Sequence, residues 1–236
     1  MNPLLIVTGG TKGIGKAVIE RFMEGGFDVV TCARNEADLL SLQTEMKLRF
    51  PFRDLSYKPS DLSLRQDTID FVSFIHSKQR NVTVLVNNTG IFIPGQVHNE
   101  TDGTLEKTIE TNLYSAYHLT RGVIDGMMKV KKGHIFTICS TASIVAYPNG
   151  GSYCISKFAL YGMTKVLREE MKPYNIKVTA VLPGATLTDS WKGTELPEER
   201  FIASKDVADA IWSAYSLSPR AVLEEILIRP QLGDLD

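Results

Sequence analysis

The chain has 236 residues, 43% of them hydrophobic and 22% charged, with 26 basic against 27 acidic side chains. This composition excludes a disordered chain and gives no broad basic footprint, so no nucleic-acid partner is expected. Three cysteines, Cys32, Cys139 and Cys154, and four scattered histidines make neither a disulfide framework nor a metal-ligand cluster. The amino-terminal residues lack the basic region and long apolar stretch of a secretory signal. No apolar run approaches the roughly 20 residues that cross a bilayer. A cytoplasmic protein with no membrane contact is expected.

In chain order, a β-branched run at Leu4–Thr8 predicts the first strand, followed by a glycine-rich turn and a helix. A second strand is predicted over Asp28–Ala33. Glu36–Phe50 then places Leu39, Leu40, Leu42 and Met46 among charges at helical spacing. Strand Leu55–Lys58, helix Arg65–Lys78 and strand Val82–Asn87 follow. A long helix is predicted over Thr104–Lys129, a strand over His134–Cys139 and a second long helix over Ser152–Lys172. Strands at Lys177–Leu182 and Glu225–Ile228 complete the pattern. Strands alternating with helices imply a parallel sheet with helices on both faces, a three-layer α/β architecture. No linker, repeat or low-complexity segment interrupts it, so one doubly wound domain is expected over residues 1–236.

The first strand runs directly into Thr8-Gly9-Gly10-Thr11-Lys12-Gly13-Ile14-Gly15. Glycines there allow a tight turn and close approach of the backbone to a pyrophosphate. The following helix N-terminus offers N–H groups and partial positive charge. Gly9, Thr11, Lys12, Gly13, Ile14 and Gly15 are therefore the expected cofactor-binding residues of this turn. The second strand ends Thr31-Cys32-Ala33-Arg34. An NAD site usually has an acidic residue here for the ribose 2′-hydroxyl. Ala33 cannot serve, whereas Arg34 can pair with a 2′-phosphate, and Lys12 adds a second cation. NADP(H) is expected in preference to NAD. Glu36 and Asp38 read as first-turn acids of the next helix.

Tyr153-Cys154-Ile155-Ser156-Lys157 puts a phenol and an ammonium four residues apart on one helix face. The ammonium should lower the Tyr153 pKa and make it a usable general acid or base. A second match, Tyr161-Gly162-Met163-Thr164-Lys165, lies on the same helix. Thirteen residues before Tyr153 is Ser140, at the carboxyl end of a strand, where open α/β sheets bind ligands. Thirteen before Tyr161 is Pro148, which has no hydroxyl. Tyr161 is therefore assigned to packing or an interface.

Thr8-Gly9-x-x-x-Gly13-x-Gly15, Asn87-Asn88-Thr89-Gly90, Asn112, Ser140, Tyr153-x-x-x-Lys157, and Pro183-Gly184 with Thr188 occur in one order. That order resembles the short-chain dehydrogenase/reductase family, over nearly the whole chain. The resemblance implies a Rossmann fold with a seven-stranded parallel sheet and a hydride transfer between a nicotinamide and a ketone or secondary alcohol. It implies that Tyr153 exchanges a proton with the substrate oxygen and that Lys157 lowers the Tyr153 pKa and holds the nicotinamide ribose. It also implies that Ser140 orients the carbonyl and that Asn112 holds a proton-relaying water. By the same resemblance, Asn88 and Gly90 line a ribose, and Asp61 with Leu62 contacts the adenine. Thr188 and the Pro183-Gly184 turn border the nicotinamide amide. Thr89 departs from the family's usual alanine, and a local packing change is expected there. The family's usual pairing through its two long helices implies a homodimer or homotetramer, with Tyr114, Tyr117, Tyr161 and Met163 as candidate interface residues.

Substrate choice is expected to rest on Tyr147–Gly151 and on Asp189–Glu195, with Trp191 either stacking on substrate or packing on the core. The ending Val222–Pro230 lacks the Asn-Gly-Gly segment of many 3-oxoacyl-[acyl-carrier-protein] reductases. With Trp191 just past Thr188, it resembles bacterial sepiapterin-reductase-like members. A carbonyl reductase of a small or medium ketone is the leading expectation. A 3-oxoacyl thioester reductase and a non-catalytic NADP-binding regulator are the alternatives.

Overall fold

The β-branched runs form seven strands: β1 (Leu4–Thr8), β2 (Asp28–Ala33), β3 (Leu55–Pro59), β4 (Val82–Asn87), β5 (Gly133–Ile138), β6 (Ile176–Pro183) and β7 (Glu225–Ile228). The helices are α1 (Gly13–Glu24), α2 (Glu36–Arg49), α3 (Arg65–Ser77), α4 (Thr104–Ile109), α5 (Ser115–Val130), α6 (Gly151–Met171) and α7 (Ser204–Tyr215). The structure is a computed structural model and describes residues 1–191 and 193–235. All strand pairs are parallel, in the order β3-β2-β1-β4-β5-β6-β7. The sheet is Rossmann-like, as expected. The chain runs outward from β1 in one direction and from β4 in the other. A crevice therefore opens between their carboxyl ends, where such sheets bind ligands.

Every residue of β1 is buried because helices cover both faces of the sheet. On one face, Val18, Ile19 and Phe22 of α1, Leu42 and Met46 of α2 and Val207, Ala208 and Ile211 of α7 pack on Leu5, Val7, Val84 and Val86. On the other face, Phe71 and Ile75 of α3 and Leu119, Val123 and Met127 of α5 pack on Ile6, Leu85 and Ile135. Leu160 of α6 meets Ala180 and Leu182 of β6 on that same side. Phe22 is fully buried, with ring centroids 5.0 Å from Phe27 and 5.1 Å from Trp212, both edge to face. Burying such a side chain is worth about 2–3 kcal/mol.

Three features differ from the sequence expectation. First, α7 was not anticipated; its stripe of Val207, Ala208, Ile211 and Ala214 covers the sheet beyond α1. Second, β5 ends one residue earlier than expected, because Cys139 N–H turns back to the Thr137 carbonyl as well as to Val181. Third, the helix expected over Thr104–Lys129 is interrupted by a π turn at Glu110–Tyr114, where Ser115 N–H reaches the Glu110 carbonyl. Asn112 lies in this turn, and its wholly buried side chain bonds inward to Ile91 and Ser156.

Candidate active site

β1 delivers the chain into the glycine turn, and Gly9 N–H donates to the Cys32 carbonyl at 2.9 Å. Gly9 and Gly13 adopt φ of +65° and +52°, conformations that favour glycine. A Cβ at Gly15 would stand 2.3 Å from the Gly9 carbonyl oxygen, so the third glycine is required by the close packing of turn on helix. The N-cap of α1 is Lys12, which makes no side-chain cap, and no acid lies in the first turn. The first-turn N–H groups are therefore left without a side-chain cap, an anion-binding arrangement. A Cβ at Gly13 would meet the Thr188 methyl at 2.9 Å, which places Thr188 directly over the turn.

β4 ends beside the same turn. Asn88 Nδ2 donates to the Thr8 carbonyl at 2.8 Å and to the Gly9 carbonyl at 3.2 Å. The Thr8 hydroxyl accepts from both the Asn88 and Thr89 backbone N–H groups at 2.9 Å. Asn88 thus clamps the glycine turn to β4. Gly90 follows, exposed, and a Cβ there would lie 3.3 Å from Asn112 Oδ1 and 3.5 Å from Lys157 Nζ.

Ser140, just past β5, opens a short 3-10 turn, and its Oγ accepts from Ala142 N–H at 3.1 Å. Tyr153 sits one turn above Lys157 on α6, with the Ser140 hydroxyl close enough to favour its phenolate form. Lys157 is 4% exposed and donates to the Ile138 carbonyl at 2.9 Å. Its Nζ lies 5.8 Å from the Tyr153 ring centre. Asn112 Oδ1 accepts from Ile91 N–H at 2.7 Å, while its Nδ2 donates to the Ile91 carbonyl at 3.0 Å and to Ser156 Oγ at 2.9 Å. Ser156 in turn donates to the Tyr153 carbonyl at 2.7 Å. The π turn, the start of α6 and the residue after Gly90 are therefore tied together behind the phenol.

The expected pKa pattern is corrected here. Tyr153 is raised, not lowered: burial disfavours the phenolate, and the nearby Ser140 hydroxyl only partly opposes it. Lys157 is lowered by its own burial, to about 8. Desolvation outweighs the attraction that spacing alone suggested.

A model of the short chain dehydrogenase family matches residues 3–199. The chain belongs to the short-chain dehydrogenase family. Sepiapterin reductase of Chlorobaculum tepidum is 30% identical to it over 243 residues, covering 100% of this chain and 99% of that protein. A metagenomic short-chain oxidoreductase in complex with NADP has a TM-score of 0.84 at 26% identity, covering 97% of both chains. A 7α-hydroxysteroid dehydrogenase complexed with NADH and 7-oxo glycochenodeoxycholic acid has a TM-score of 0.89 at 28% identity, covering 99% of this chain and 95% of that one.

In this short-chain dehydrogenase the other sequence candidates fall as follows. Arg34 is exposed at the end of β2, and no carboxylate among the described residues pairs with it. Lys12 does not stand with Arg34 as a second unpaired cation. Its ammonium lies 3.4 Å from Asp189 and 3.6 Å from Asp38. These carboxylates raise its pKa, the Asp189 hydrogen bond most of all. Asp38 is a first-turn acid of α2, as expected, and Asn35 caps that helix by accepting from Ala37 and Asp38 N–H groups. Asp61 accepts from Ser63 N–H at 3.1 Å and from the Ser63 hydroxyl at 2.7 Å, and Leu62 is buried in the core. Thr11 and Ile14 are half-buried, Ile14 packing against the core beneath the turn.

Pro183 ends β6, and Gly184 N–H donates to the Ile228 carbonyl at 2.8 Å, fixing the turn that leads to Thr188. Trp191 N–H bonds the Thr188 carbonyl, and its half-buried ring meets Phe201 edge-on at 5.0 Å. Lys192, in the same expected substrate segment, lies outside the described residues. The second Tyr-x-x-x-Lys pair faces β7: Tyr161 donates to Glu225, and Lys165 lies 3.1 Å from that carboxylate. Sequence reasoning missed Ser156, although it lies inside the Tyr153–Lys157 motif, and Phe92, whose ring meets Tyr153 at 5.0 Å. Among the described residues no helix is long and apolar enough to cross a membrane.

Proposed function

We propose that this short-chain dehydrogenase is an NADP(H)-dependent carbonyl reductase of a small or medium ketone, of sepiapterin-reductase-like type, working as one catalytic domain over residues 1–236. The observation that carries this is the convergence of Ser140, Tyr153 and Lys157 at the carboxyl end of β5, across from an uncapped glycine turn. The residues fit the cofactor: Gly13 and Gly15 have no room for a Cβ, and the N-terminus of α1 offers bare N–H groups. Gly9, Thr11, Lys12, Gly13, Ile14 and Gly15 would hold the pyrophosphate. Arg34 would hold the 2′-phosphate, since Ala33 offers no acid. Asp61 and Leu62 would border the adenine, Asn88 and Gly90 a ribose, and Pro183, Gly184 and Thr188 the nicotinamide.

When bound, the nicotinamide supplies or accepts the hydride. Tyr153 donates its hydroxyl proton to the substrate oxygen as negative charge grows there. Ser140, whose Oγ already accepts from Ala142, directs its O–H toward that same oxygen. Lys157 adds positive charge beside the developing phenolate. These interactions strengthen as the reaction proceeds, so they favour the transition state over the ground state. Asn112 keeps Ile91 and Ser156 in place behind the phenol.

The test is a ketone panel, with pterin side-chain ketones and 3-oxoacyl thioesters included, assayed with NADPH and NADH. Turnover confined to acyl thioesters would overturn the sepiapterin-reductase-like assignment. Tyr153→Phe keeps the ring and removes the proton; kcat should fall about 10²–10⁴-fold. Survival at a near wild-type rate would refute the mechanism. A cytoplasmic homodimer or homotetramer belongs to the same proposal. Tyr114, Tyr117, Ile155 and Phe158 form exposed apolar surface on α5, α6 and the π turn. Light scattering at monomer mass would refute it.

A further inference from the structure

The helix that carries Tyr153 and Lys157 begins without a cap of its own. Its N-cap is Gly150, which has no side chain to cap it, and its first turn contains no acidic residue. A 21-residue helix with its orphan N–H groups set beside the catalytic phenol needs an acceptor there. The acceptor comes from the segment between β4 and α4. Glu100 Oε1 receives Ser152 N–H at 2.8 Å, and Oε2 receives the Ser152 hydroxyl. Ser152 is the residue immediately before Tyr153.

Two glycines make room for this carboxylate. A Cβ at Gly151 would stand 2.1 Å from Glu100 Oε1, and one at Gly95 would stand 2.6 Å from Glu100 Cγ. Gly95 N–H also donates to the Asn149 carbonyl at 3.1 Å, and Gln96 Nε2 donates to Asn149 Oδ1 at 3.1 Å. The same segment includes Ile91, bonded to Asn112, and Phe92, whose ring stands edge-on to Tyr153. It therefore grips Tyr153 at two points, by the ring and through the preceding residue.

We propose that Glu100 is a positioning residue for Tyr153, its carboxylate fixing the first turn of α6 and so the phenol against Ser140. This rests on the carbonyl-reductase function proposed above. Glu100 touches no reacting atom; its effect passes through Ser152. A displacement of about 1 Å at the reacting group costs up to roughly 10²-fold in rate.

The test compares Glu100→Ala and Glu100→Gln with wild-type enzyme on a ketone that the wild type reduces. Readouts are kcat, the NADPH dissociation constant by fluorescence, and hydrogen exchange at the Ser152 and Tyr153 amides. Glu100→Ala should lower kcat about 10- to 100-fold with NADPH affinity within about twofold. Glu100→Gln keeps an oxygen acceptor for Ser152 N–H and should recover most of the loss. Should the alanine variant not fold, Glu100→Asp withdraws the carboxylate by one methylene and should lower kcat at least about threefold. An unchanged kcat, a glutamine variant no better than alanine, or a parallel loss of kcat and NADPH affinity would overturn the proposal. If wild-type enzyme reduces no ketone, the functional proposal itself fails. Exchange at Ser152 and Tyr153 then decides the positioning role: faster in Glu100→Ala supports it, unchanged overturns it.

Discussion

Arg34→Asp examines cofactor choice at one side chain. Arg34 is exposed and forms no ion pair with the described residues, so its removal breaks nothing in the fold. Stability should stay within about 0.5 kcal/mol of wild type. A charge-assisted hydrogen bond is worth about 1.5–3 kcal/mol, and exposure favours the lower end. The new carboxylate adds about 1 kcal/mol of repulsion toward a 2′-phosphate. The total, about 2.5–3 kcal/mol, corresponds to roughly 100-fold weaker NADPH binding. NADH loses nothing, and its 2′-hydroxyl gains an acceptor worth about 1 kcal/mol, or roughly fivefold. The ratio of kcat/KM for NADPH over NADH should therefore fall by about 10²–10³. Steady-state rates with one ketone and both cofactors measure it. The wild-type preference should also shrink with added salt, as screening weakens an exposed contact. A ratio that moves by less than about threefold would refute the 2′-phosphate role.

Gly15→Ala puts a methyl 2.3 Å from the Gly9 carbonyl, so the turn must shift; NADPH binding measured by fluorescence should weaken by at least about tenfold, and unchanged affinity would count against the turn as the cofactor site. Phe22→Ala removes the ring between Phe27 and Trp212 and should cost about 3–5 kcal/mol in denaturant unfolding; a loss under about 1 kcal/mol would mean that the aromatic cluster repacks. Lys157 has a folded pKa of about 8, below the unfolded lysine value of 10.5, so folding disfavours its charged form. The unfolded chain binds the extra proton between pH 8 and 10.5, and stability rises with pH across that window. Relative to Lys157→Met, the ligand-free wild type should gain about 3 kcal/mol from pH 8 to 10.5, read from paired denaturant titrations; parallel pH curves would refute the burial effect.

Strands were legible because a sheet covered on both faces demands unbroken β-branched runs such as Val82–Asn87. The glycine turn was legible because the positive φ of Gly9 and Gly13 and the close packing of Gly15 on Gly9 arise within one short stretch. The buried stripe of α7, Val207, Ala208, Ile211 and Ala214, follows helical spacing and was within reach of the same reading. The π turn depends on Ile91 and Ser156, which are distant in sequence from Asn112. Spacing correctly brought Lys157 near Tyr153, but a one-dimensional pattern cannot register desolvation, which decides both pKa directions. Lys12 shows the same limit: Asp38 and Asp189 reach it from separate elements. Glu100 lies 52 residues from Ser152, and no motif links them.

The π turn at Glu110–Tyr114 sets an unusual rule for insertions and deletions. The stretch from Thr104 to Val130 carries one residue more than an uninterrupted α-helix of the same span requires. Removing that residue would restore the ordinary register and rotate Asn112 by about 100° relative to the helix that follows. The shortened helix would gain regular hydrogen bonds, yet Ile91 and Ser156 would lose their shared partner. On the proposed mechanism, a single codon deletion here would thus trade the Asn112 contacts behind Tyr153 for a more regular helix.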